Sequence, residues 1–120
     1  MKILIIDDDP IVAGALKTII EAEDKIQVCA LGNDGQSLLS LYQKYRPDIV
    51  LLDIQMKYLS GIEAGKKLLA DYNDARIIFL TTFSDDQYII EALRMGAKGY
   101  LLKQNYPHIV PALEAVMTGQ

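Results

Sequence analysis

One cysteine and one histidine in 120 residues leave little room for soft-metal chemistry. Cys29 has no second thiol for a disulfide or a thiolate metal site, and its place in the apolar run from Ile26 to Leu31 marks it as a buried strand residue. His108 has no second imidazole and falls near a helix start, which makes it a solvated surface residue. Long apolar stretches are missing too. The longest runs, such as Ile77 to Leu80, fall far short of the roughly 20 residues that cross a bilayer, and Asp7, Asp8 and Asp9 stand where a signal peptide would continue its apolar core. A cytoplasmic chain without membrane contact is expected. Basic residues are in the minority, 12 Lys and Arg against 16 Asp and Glu for a net charge of −4, so the chain lacks the basic face that nucleic acids and anionic membranes require. There is no low-complexity tract and no repeat at solenoid spacing. What remains is an ordinary globular composition, 51% hydrophobic and 23% charged, at a length that suits one domain over residues 1–120.

The hydrophobic pattern switches repeatedly between short unbroken runs and helical spacing. Ile3 to Ile6, Gln27 to Leu31, Ile49 to Leu52, Ile77 to Leu80 and Gly99 to Leu102 are rich in Ile, Leu and Val, as strands of a parallel sheet covered on both faces would be. Between them, Ile11, Ala15, Leu16, Ile19 and Ile20 mark a first helix, with Asp9 as its N-cap and Pro10 at its first position. Leu38, Leu39 and Tyr42 mark the second, stopped by Arg46-Pro47-Asp48; Ile62, Leu68 and Leu69 the third, entered through Ser60-Gly61. Tyr88, Ile89, Ala92 and Leu93 mark the fourth, with Gly96 as its C-cap, and Leu113 and Val116 the fifth. Pro107 and Pro111 both fall in the first two turns of that last helix, so its regular part is expected to begin only near Ile109 or Val110. Right-handed βα units in this order predict an α/β, flavodoxin-like (βα)5 fold: a doubly wound, five-stranded parallel sheet of order 2-1-3-4-5 with helices on both faces.

Ligands of such sheets bind outside the carboxyl ends of the strands, at the switch point between the first and third. The first strand runs into Asp7, Asp8 and Asp9, and the third into Asp53. Converging carboxylates repel one another and call for a compensating cation, and oxygen donors without His or Cys suit Mg²⁺. The fourth strand ends in Thr81-Thr82 and the fifth in Tyr100-Leu101-Leu102-Lys103, adding hydroxyls and an ammonium at the same edge. A carboxylate nucleophile with a cation, a lysine and a hydroxyl around it contains the parts that phosphoryl transfer needs.

In ILIIDDDP, PDIVLLDIQM with the later SGIEA, IIFLTTF and AKGYLLK, the chain resembles the receiver domains of two-component response regulators over essentially its whole length. LTTF, EALRMGAKGYLLK and the ending AVMTG are similar to the NarL/FixJ subfamily in particular. The resemblance implies a phosphoacceptor that assists its own phosphorylation and dephosphorylation rather than a classical enzyme. Asp53 would accept the phosphoryl group from a sensor histidine kinase. Asp8, Asp53 and the backbone carbonyl of Gln55 would hold Mg²⁺, with Asp7 acting through water. Lys103 would contact the phosphoryl oxygens, Thr81, beside Thr82, would swing toward them, and Tyr100 would turn inward behind it. The output would be a homodimer, with DNA bound only by a LuxR-type helix-turn-helix domain outside residues 1–120.

Several positions depart from the family pattern, Pro111 in the fifth helix among them. Lys57 replaces a proline after the acceptor, adding a charge and freeing a loop, and Gln104 replaces the proline of the usual Lys-Pro pair. Two other readings compete: a Mg²⁺-dependent phosphatase of the haloacid-dehalogenase type, which would use Asp7 and Asp9 as a D-x-D pair with Thr81 and Lys103, and a receiver-like module that is never phosphorylated.

Overall fold

Period-two alternation in the central strands decides which helices cover which face of the sheet. The computed structural model describes residues 1–56, 59–82 and 86–119. Its strands are β1 (Lys2–Ile6), β2 (Gln27–Gly32), β3 (Ile49–Asp53), β4 (Ile77–Thr81) and β5 (Gly99–Leu102). They interleave with α1 (Pro10–Glu21), α2 (Ser37–Tyr45), α3 (Gly61–Asp71), α4 (Asp86–Arg94) and α5 (Ile109–Met117), the last preceded by a 3-10 turn at Tyr106–His108. All neighbouring strands are parallel, in the order β2-β1-β3-β4-β5, as expected from the βα repeat. Ile3, Ile5, Ile49, Leu51, Ile78 and Leu80 pack with Leu16 and Ile20 of α1 and with Ile109 and Leu113 of α5. Their alternates Leu4, Ile6, Val50, Leu52, Ile77 and Phe79 pack with Leu38 of α2, Leu68 of α3 and Ala92 of α4. Side chains alternate across a strand, so one aliphatic run builds both cores at once.

Local signals set the helix ends. Asp9 Oδ1 accepts from the N–H groups of Ile11 (2.9 Å) and Val12 (3.4 Å) with Pro10 behind it, and Ser60 Oγ accepts from the Glu63 N–H (3.2 Å). Gly96, at φ 106°, follows α4 in a conformation that costs glycine little. Arg46 closes α2 at φ 46°, its guanidinium 4.5 Å from the Tyr72 ring centroid, while Tyr72 lies 4.9 Å from Tyr42. The regular part of α5 begins at Ile109, where the two prolines place it.

Burial departs from the sequence reading in three places. Ile11 belongs to the helical spacing of α1 yet is 82% exposed, because the buried stripe runs through Ala13, Leu16 and Ile20. Coverage on both faces holds for β1, β3 and β4, whereas β2 and β5 are sheet edges and stay partly open; Cys29 in β2 is accordingly half-buried, its Sγ 3.4 Å from the Ile3 carbonyl. On α4 only Ala92 is fully buried among the apolar positions, with Tyr88 and Leu93 39% and 49% exposed. An ion pair between Lys66 of α3 and Glu91 of α4, 2.9 Å, joins these two helices at the surface.

Candidate functional site

Counting onward by two along three strands of the first core predicts a polar cluster. Ile3 and Ile5 lead to Asp7, Ile49 and Leu51 to Asp53, and Leu101 to Lys103. The structure brings these three side chains together: Lys103 Nζ lies 2.8 Å from Asp7 Oδ2 and 3.0 Å from Asp53 Oδ2. Asp7, Asp53, Thr81 and Lys103 are the buried polar side chains among the described residues. Asp8 is half-buried, and carboxylate oxygens of Asp7, Asp8 and Asp53 lie within 4.8 Å of one another.

Main-chain amides orient the two buried acids. Asp7 Oδ1 accepts from the Asp9 N–H at 2.9 Å, and the Asp7 N–H itself donates to the Gly32 carbonyl at 3.0 Å. Asp53 Oδ1 accepts from the Gln55 N–H at 3.2 Å. The two Oδ2 atoms face the Lys103 ammonium, and no other donor among the described residues reaches them. Asp9 takes a different part: its carboxylate is spent on the α1 cap and is exposed, so Asp7 and Asp9 do not form a D-x-D pair over one ligand.

A hollow of ≈ 240 Å³ opens over the cluster, lined by Asp8, Asp9, Val12, Asp53, Gln55, Thr81, Thr82 and Lys103. Val12 was not foreshadowed by its chemistry; it enters because it sits one turn into the helix that Asp9 caps. Tyr100 stands apart from the hollow's lining, 41% exposed on β5. Of the departures from the family pattern, Lys57 lies outside the described residues, and Gln104 is exposed beside Lys103.

Gly61 is the site residue that sequence reasoning treated only as a turn. A Cβ there would sit 1.9 Å from the Asp53 carbonyl oxygen and 2.9 Å from the Ile54 Cα. The Gly61 N–H donates to the Ile54 carbonyl at 2.8 Å, so the first residue of α3 rests directly on the backbone that carries Asp53. The glycine is required for space rather than for φ.

Burial, together with the neighbouring Asp7 charge, pushes the Asp53 carboxyl up to about 7 despite Lys103 and the Gln55 N–H. Burial alone would lower the Lys103 ammonium, but its contacts with Asp7 and Asp53 outweigh that and the net shift is upward. Three carboxylates against one ammonium leave two negative charges unmatched when all are ionised. An oxygen-only donor set with that surplus of negative charge fits a hard divalent cation such as Mg²⁺.

The raised acid sets a sign for stability. A proton on Asp53 is held more tightly folded than unfolded, so its contribution is complete below the ordinary value of 3.8 and is lost as pH rises through about 7. Without divalent cations, urea unfolding should therefore show lower stability at about pH 8 than at about pH 5, by on the order of 3 kcal/mol. Asp53→Asn should flatten that slope, and Mg²⁺ should restore stability at the higher pH; a wild-type profile that rises over this range would contradict the assignment.

The family model of the response regulator receiver domain matches residues 3–114. The transcriptional regulatory protein DegU of Brevibacillus brevis is 35% identical over 99% of the chain, which covers 51% of that protein. The transcriptional regulatory protein YdfI of Bacillus subtilis (strain 168) is 40% identical over 85% of the chain, covering 47% of it. The chain thus spans about half the length of the curated relatives it matches. Among solved structures, a LuxR-family two-component response regulator from Aurantimonas sp. SI85-9A1 superposes with a TM-score of 0.95 at 31% identity, over 99% of this chain and 86% of that one. By sequence and by fold alike, the chain belongs to the response regulator receiver domain family, among relatives that are NarL/LuxR-type transcriptional regulators.

Proposed function

We propose that the chain receives a phosphoryl group on Asp53 and passes the event to the output of a transcriptional regulator. The observation that carries the reading is the single ammonium of Lys103 set between the buried oxygens of Asp7 and Asp53, with Asp8 beside them. Asp8, Asp53 and the Gln55 carbonyl would hold Mg²⁺, with Asp7 acting through water; when bound, the ion supplies positive charge that offsets the phosphoryl oxygens. In the transfer, an Asp53 oxygen attacks the phosphorus of a histidine kinase's phosphohistidine. The O–P bond forms as the P–N bond breaks, and the imidazole leaves with a proton from solvent. Lys103 exchanges a carboxylate partner for a phosphoryl oxygen and stays paired throughout.

The switch rests on Thr81 and Tyr100. Thr81, at 6% exposure, lines the hollow, and its hydroxyl would follow the new acceptor oxygens. Tyr100, 41% exposed, would turn into the space Thr81 leaves, changing the surface that α4 and β5 present. Dimerisation would be the output, in the cytoplasm, and the relatives' length supports a DNA-binding domain outside residues 1–120. No helix among the described residues is long and apolar enough to cross a membrane.

Acetyl phosphate with Mg²⁺ should add one phosphoryl group to the wild-type protein and none to Asp53→Asn or to protein treated with a chelator. Labelling that survives the substitution would sink the reading. Sustained hydrolysis of a phosphate monoester with Asp7 essential and Asp53 dispensable would instead favour the phosphatase, a reading the capping role of Asp9 argues against.

A further inference from the structure

At the mouth of the hollow, a side chain outside the acidic cluster ties the residue after β4 to the turn after β5. At the ends of β4 and β5 the Lys103 N–H donates to the Thr81 carbonyl at 2.8 Å. One residue further along both chains, Gln104 Nε2 donates to the Thr82 carbonyl at 3.0 Å. A side chain thus adds a tie between the two chains just past the ends of β4 and β5. Its acceptor is a main-chain carbonyl, so only the NH₂ end of the amide can serve, and a proline at 104 could not make the bond. Both residues are exposed, and the bond flanks the two groups that matter most: Thr82 follows Thr81 directly, and Gln104 follows Lys103.

We propose that Gln104 is a positioning residue whose amide straps Thr82, just past the end of β4, to the β5–α5 turn and holds the Thr82 carbonyl in its resting place. The inference rests on the reading of Asp53 as phosphoacceptor and of Thr81 as the hydroxyl that follows the phosphoryl group. Movement of Thr81 toward Asp53 displaces the adjoining Thr82, whose carbonyl the strap restrains. That carbonyl must then exchange the amide for water. An exposed hydrogen bond has a small net value, so the strap biases an equilibrium rather than blocking it. Cutting it enlarges the fraction of protein already in the receptive conformation, and apparent affinity for a phosphoryl mimic rises by the same factor.

The test compares beryllofluoride affinity in the presence of Mg²⁺, and the rate of phosphoryl uptake from acetyl phosphate, in wild type, Gln104→Met and Gln104→Lys. Methionine keeps the length without a donor; lysine restores a donor. The methionine variant should bind beryllofluoride roughly three- to tenfold more tightly, be phosphorylated faster by a similar factor and melt a few degrees lower, with the lysine variant back at the wild-type values. Equal affinities in wild type and Gln104→Met overturn the strap, as does a lysine variant that behaves like methionine. A wild-type protein that neither binds beryllofluoride nor takes up phosphoryl groups overturns the reading of Asp53, and the strap with it.

Discussion

Lys103→Met should destabilise the metal-free protein by about 3 kcal/mol at about pH 8 and by clearly less at about pH 5. Lys103 is 9% exposed, and its ammonium is the cation shared by Asp7, at 0%, and Asp53, at 3%. Methionine preserves an apolar stem of similar length, so the loss reports the charge rather than packing. Removing one partner of a buried ion pair strands the other, but a carboxylate can escape by taking a proton, and that escape is cheaper at low pH. Urea titrations at the two pH values measure the difference. Mg²⁺ should recover part of the loss at the higher pH, and an equal loss at both would mean that the stem, not the charge, is what the fold uses.

Gly61→Ala should be the most damaging single methyl group in the chain. The added Cβ would meet the Asp53 carbonyl oxygen at 1.9 Å and the Asp53 carbonyl carbon at 2.8 Å, and both are backbone atoms with little freedom to yield. Either α3 withdraws or the end of β3 moves. Overpacking of this kind costs about 3 kcal/mol. A shift of the nucleophile of about 1 Å slows a positioned reaction on the order of a hundredfold. The expected result is a lower melting temperature together with a phosphorylation rate, measured on the folded fraction, that falls by about that factor. Gly65→Ala is a useful control: its Cβ would meet the Met95 Cε at 2.8 Å, the end of a flexible side chain, so it should cost stability without slowing phosphorylation.

The contrast between these residues shows what was legible in the sequence. Asp7, Asp53 and Lys103 could be read because each ends an aliphatic run, and a run's end in a parallel sheet is a place in space as well as in the chain. The strand order followed from the same repeat. Gly61 could be seen as a turn former but not as a spacer, since the approach of α3 to the backbone of β3 is a tertiary fact. Asp9 could be named a cap, and that role is what separates it from Asp7; the two are equivalent by composition alone. Ile11 shows the limit of periodicity: helical spacing identifies a face, while the depth of that face depends on where the sheet lies. The half-exposed Tyr88 and Leu93 of α4 have the same origin, because β5 beside α4 is an edge strand with helices only partly covering it. The Gln104 bond to Thr82 was hidden because a side-chain amide has many possible partners and the sequence does not choose among them.

One carboxylate, that of Asp53, should carry the phosphoryl group, and its position can be read directly. Reduction with borohydride after phosphorylation converts an aspartyl phosphate to homoserine at the modified residue, and peptide mass spectrometry then locates it. Homoserine is expected at position 53 and nowhere else. Homoserine at position 7, 8 or 9, or a phosphorylated protein with residue 53 intact, would contradict the assignment.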